Sequence, residues 1–73
     1  MNPRQPRFTA KQVLAVLEKR GFEIVRSSGS HCILRNDKGI RITVPVHGNK
    51  ILHPKILARI LKDADVRIDE FGR

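Results

Sequence analysis

Gly29-Ser30-His31 sets an imidazole directly behind a turn-forming pair, at the head of the apolar run Cys32-Ile33-Leu34. Imidazole, with a reference pKa of about 6.5, is the side chain that gives and takes protons near neutral pH. The surrounding chain carries a formal net charge of +8. That combination suits metal-independent cleavage of RNA. A 2′-hydroxyl must lose a proton, the leaving 5′-oxygen must gain one, and the charge of the phosphorane between them must be neutralised. A positioned histidine contributes roughly 10²–10⁴-fold to such transfers. Gly29 lets the backbone approach a phosphate, and Ser30 adds a hydroxyl beside it. On spacing alone the triplet is a weak motif, and a surface histidine after a β-turn is the commoner case.

Other residues can support the same chemistry. His47 is a candidate second histidine, although Gly48 follows it and termination of a strand is its simpler role. Gly48-Asn49-Lys50 leads toward a helix but lacks Walker spacing. Free amides at that helix start, with Lys50 and Lys55 nearby, can still hold a phosphate. Arg35, Arg41 and Arg59 complete the expected RNA-contacting set with Gly29, Ser30 and His47. His53, just before Pro54, suits a helix cap or a phosphate contact. The histidines do not stand at i, i+4 on a helix and have no neighbouring carboxylate, so no metal site and no cofactor are expected. Cys32 is the only cysteine, which excludes an internal disulfide and a cysteine-based zinc site. It is expected to be buried and inert.

Positioning these groups falls to five elements. Thr9 and Gln12 form a capping-box pair ahead of Val13, Leu14, Val16 and Leu17, and Gly21 supplies a stop. This predicts a helix over about Ala10 to Arg20. Three strands follow: Phe22 to Ser27, alternating imperfectly, then His31 to Arg35, then Ile40 to Val46. The turns between them are Ser28-Gly29-Ser30 and Asn36-Asp37-Lys38-Gly39. In the last strand Ile40, Ile42, Val44 and Val46 point one way, and Arg41, Thr43, Pro45 and His47 the other. A second helix is predicted from Pro54 to about Ala64. Ile56, Leu57, Ile60, Leu61 and Ala64 form its apolar face, with Lys55, Arg59 and Lys62 opposite. The order α-β-β-β-α on short turns predicts an α+β fold: a three-stranded antiparallel sheet with both helices on one face. The other face is left to Arg, Thr and His as a working surface.

With 73 residues, one domain with a single two-layer core is expected. Residues 1–8 read as a flexible basic arm, 9–66 as the domain, and 67–73 as an acidic tail that Ile68 and Phe71 can anchor. Residues 1–62 hold 13 Lys and Arg against three acids, a net of +10, whereas residues 63–73 carry −2. Such a field favours polyanionic partners. No run approaches the roughly 20 apolar residues of a membrane span, and no apolar signal region is visible. A soluble, unexported protein of the reducing cytoplasm is expected.

Taken together, these stretches resemble the HicA family of bacterial toxins, small messenger-RNA interferases with a double-stranded-RNA-binding-domain-like fold. The resemblance runs from about Thr9 to Ala64. It rests on Leu17-Glu18-Lys19-Arg20-Gly21-Phe22, Gly29-Ser30-His31, Thr43-Val44-Pro45-Val46-His47, Lys50, and the Leu57…Ile60-Leu61 pattern, in that order and spacing. It implies that His31 is the catalytic residue, that messenger RNA is the substrate, and that a HicB-like antitoxin covers the working face. Relatives often carry a second histidine and an aromatic residue where this chain has Cys32 and Leu34. Many have a glutamate where this chain has Ile51. The alternative is a non-catalytic RNA-binding module of the same fold.

Overall fold

A computed structural model of the chain describes residues 7–48 and 50–71. Most of the expected basic arm, Asn49 of the glycine-containing loop, and the last two residues lie outside the described residues. The first helix, α1 (Ala10–Lys19), starts at the predicted capping box. The Thr9 hydroxyl accepts from the Gln12 N–H at 3.3 Å, and the Thr9 N–H donates to Gln12 Oε1 at 2.8 Å. Both otherwise orphaned amides of the first turn are thereby satisfied. The helix ends at Gly21, whose φ of +94° lets Phe22 N–H reach back to the Leu17 carbonyl at 3.0 Å. This pairing sets Phe22 beside Leu17, and both are buried.

The strands are β1 (Glu23–Ser28), β2 (His31–Arg35) and β3 (Arg41–Pro45), forming an antiparallel sheet in the order β1-β2-β3. The predicted meander is thus present, with β1 shifted by one residue and β3 trimmed by one at each end. Helix α2 (Pro54–Ala64) has the predicted bounds. The His53 Nδ1 accepts from the Lys55 N–H at 3.1 Å, the capping role its position suggested. Past α2, Asp65 takes a left-handed conformation, φ 57°, and Val66 N–H bonds the Leu61 carbonyl at 3.0 Å.

Alternation in the strands sends Cys32, Leu34, Ile42 and Val44 into one cluster with Val13, Leu17, Leu57, Ile60 and Ala64 of the helices. Both helices therefore cover the same sheet face, as the sequence predicts. Each large side chain buried this way contributes about 1.5–3 kcal/mol. The cover is uneven, for every residue of β1 is exposed. Two assignments to apolar faces are corrected at the margins. Ile56 is 40% exposed, lining a groove beside β3, and Ile40 is 37% exposed, just before β3 begins.

The first and last described segments meet. Leu52 N–H donates to the Phe8 carbonyl at 2.9 Å, and Thr9 bridges Ile51 in antiparallel fashion. The Phe8 ring lies against Phe71, with centroids 4.4 Å apart and planes tilted by 34°. Of the two residues expected to anchor the acidic tail, Phe71 is buried and Ile68 is 42% exposed. Arg20 completes the closure, donating to Glu70 Oε1 at 3.2 Å and to the Asp65 carbonyl at 3.1 Å.

Candidate nucleic-acid interface

Cross-strand register determines which side chains share the uncovered sheet face, because paired residues of an antiparallel ladder point the same way. Ile33 alternates with the buried Cys32 and Leu34, so its row marks the open face. Three rows result: Glu23–Arg35–Arg41, Arg26–Ile33–Thr43, and Ser28–His31–Pro45. His31 thus heads the central strand, exposed, at one end of this face. Arg35 and Arg41 stand together at the other end. Four residues separate His31 from Arg35 along β2, about 13 Å at strand rise. None of Arg26, Arg35 and Arg41 has a salt-bridge partner among the described residues, in contrast to Arg20, Arg59 and Arg67.

The turn before His31 is built for its position. Ser28 and His31 pair directly, leaving Gly29 and Ser30 as a two-residue connection with Gly29 at φ +53°. Glycine at the first central position is what such a hairpin turn demands. Ser30 ties the turn to two neighbours. Its carbonyl accepts from Val46 N–H at 2.6 Å. Its Oγ lies 3.4 Å from His31 Nδ1, a long contact to one ring nitrogen of an exposed side chain.

The remaining candidates fall into two groups. His47 and Lys50, both exposed, belong to the loop after β3, which the Lys50 N–H closes on the His47 carbonyl at 3.1 Å. Because Val46 pairs with Ser30, this loop departs from the His31 end of the sheet. Lys55 and Arg59 lie on α2, across the helix layer from the open face. Arg59 and Arg41 nevertheless both line a groove of about 310 Å³ at the β3 edge, with Thr43, Ile56 and Asp63. Asp63 sits 3.8 Å from Arg59. One stretch of the candidate set therefore runs along the β3 edge and another surrounds His31. Cys32, predicted to be buried, is 8% exposed, with Ser27 Oγ 3.7 Å from its sulfur.

Arg26 is the residue that sequence reasoning missed. Strict alternation from Ile24, which faces the helix side opposite Leu34, would place Arg26 on that side too. A bulge between Ile24 and Arg26 changes the phase. The only sequence signal was the imperfect alternation of Phe22 to Ser27.

A three-stranded antiparallel sheet, backed on one face by two helices and carrying histidine and arginine on the other, is a double-stranded-RNA-binding-like arrangement. Residues 10–66 match the family model described as the HicA toxin of bacterial toxin–antitoxin systems, and the chain belongs to that family. No curated protein matches the chain. Membership supports a toxin role and implies an antitoxin partner. Among the described residues, no helix is long and apolar enough to cross a membrane. The Phe8–Phe71 contact lies outside the matched span.

Proposed function

We propose that this protein is the toxin of a type II toxin–antitoxin system, an endoribonuclease that cleaves messenger RNA in the cytoplasm and so stops translation. The observation that carries the reading is the exposed His31 at the head of β2, on the sheet face that the helices leave open and that arginines share. His31 transfers protons through Nε2, the ring nitrogen that Ser30 does not contact. The 2′-oxygen attacks the adjacent phosphorus as its proton leaves, the bond from phosphorus to the 5′-oxygen breaks, and that oxygen is protonated. The products are a 2′,3′-cyclic phosphate and a 5′-hydroxyl. This transesterification requires no cofactor. Gly29 and Ser30 hold the backbone beside the phosphate, Lys50 contributes positive charge, and His47 makes a further RNA contact. Arg35, Arg41, Lys55 and Arg59 contact flanking phosphates. A HicB-like antitoxin silences the toxin by covering the open face.

The test is cleavage of messenger RNA in EDTA by the wild-type chain and by His31→Ala, with the ends mapped. Because His31 is exposed, the variant is expected to fold, and circular dichroism checks this. Loss of roughly 10²–10⁴-fold in rate, with cyclic-phosphate ends from the wild type, is the expected result. Equal cutting by both proteins would remove His31 from the reaction. Binding without cutting by either would leave an RNA-binding module.

A further inference from the structure

We propose that Arg26 binds the phosphate on which His31 acts, and that the β1 bulge exists in this fold to aim it there. The inference rests on the ribonuclease reading above and adds a residue to its site. Three observations converge on the placement. Arg26 pairs with Ile33, which lies on the open face. The next residue, Ser27, pairs with the buried Cys32 and brings its Oγ within 3.7 Å of that sulfur, so Ser27 occupies the helix side and Arg26 the opposite one. Arg26 is exposed and has no salt-bridge partner among the described residues.

Distance then singles out Arg26 among the arginines of this face. His31 pairs with Ser28, so Arg26 is its diagonal cross-strand neighbour, about 7–8 Å away at the backbone. An arginine side chain spans that gap. Arg35 and Arg41, one row further on, stand about 13 Å from His31. The loop that carries Lys50 leaves the sheet beside Ser30 on the β3 side, and Arg26 stands on the β1 side, so a phosphate at His31 has a basic residue on either flank. Attack by the 2′-oxygen adds negative charge to the non-bridging oxygens. A guanidinium fork matches two of those oxygens, and no proton need pass to it.

The experiment compares the wild type, Arg26→Ala, Arg26→Lys and a charge-loss control on the far side of the helix layer, Lys19→Ala. In EDTA with RNA substrate, Arg26→Ala is expected to lower kcat by about 10²-fold with a smaller change in KM. Arg26→Lys should recover part of that loss, and Lys19→Ala should cut as the wild type does. A second readout needs no catalysis: binding to a 2′-O-methyl oligonucleotide, which lacks the nucleophile, across a salt series. Losing one phosphate contact reduces the slope of log affinity against log salt by about 0.7 for a single strand. Unchanged kcat in Arg26→Ala alongside an active wild type overturns the proposal. If the wild type proves inactive on RNA, the ribonuclease reading fails by itself. An unchanged salt slope in Arg26→Ala then overturns the phosphate contact independently, and a reduced slope upholds it.

Discussion

His31 owes its position to Gly29 more than to any contact of its own ring. Gly29 sits at φ +53°, and a Cβ built there would meet nothing within 4 Å. The cost of Gly29→Ala is therefore conformational rather than steric, about 1–2 kcal/mol for an L-residue held in the left-handed region. A lower urea midpoint with an unchanged slope is the expected outcome, since neither the core nor the extent of burial changes. The same turn carries the Ser30 carbonyl that holds Val46, so relaxation of Gly29→Ala would also shift the loop bearing His47. Most of this was legible in the chain. Glycine before Ser-His signals a left-handed turn, and alternation back from the solvent-facing Arg35 exposes His31. Arg26 was not legible, because a bulge leaves only irregular alternation as its trace, and irregular alternation does not say where the phase changes.

Among the elements, α1 depends on its start. The Thr9 hydroxyl and the Gln12 side chain satisfy first-turn amides, and Gly21 satisfies carbonyls at the other end. A helix of 10 residues is too short to persist on propensity alone. Thr9→Ala should cost about 1 kcal/mol, within the 0.5–2 range of such caps, read as a shift in thermal or urea unfolding. A loss near zero would mean that the backbone bridge from Thr9 to Ile51 alone holds the helix entry. Both helices were legible nearly to the residue because cap, periodicity and stop agree. Strand ends were less so. Ile40 and Val46 continue the apolar alternation of β3, but ladder pairing in the strand stops at Arg41 and Pro45. At the Pro45 end the last bond is Val46 N–H to the Ser30 carbonyl, and Ser30 already belongs to the turn before β2.

Over the whole molecule, the closure of Phe8 on Phe71 matters because so small a domain has little stability in reserve, about 4–11 kcal/mol by length. Phe71 is buried, stacked on Phe8, beyond the span that matches the family. Phe71→Ala should cost about 3–5 kcal/mol. The measurement is urea unfolding, and the expected result is a midpoint at a much lower urea concentration than that of the wild type. A change under 1 kcal/mol would show the last residues to be dispensable cover. The same contact steadies the loop toward Lys50, through the hydrogen bond from Leu52 to the Phe8 carbonyl. The acidic segment is therefore more than solvated surface, since Glu70 pairs with Arg20 at 3.2 Å.

The sequence by itself determined the element order, the capping of both helices, the single apolar sheet face and the exposure of His31. Those features follow from local periodicity and from residues whose backbone preferences act within a few positions. The tertiary structure alone decided the three rows of the open face, the placement of Arg26 on that face, the groove that Arg41 and Arg59 share at the β3 edge, and the Phe8–Phe71 closure. Register, bulge and the Phe8–Phe71 contact arise from pairing between distant segments, and no local preference encodes which partner each segment meets.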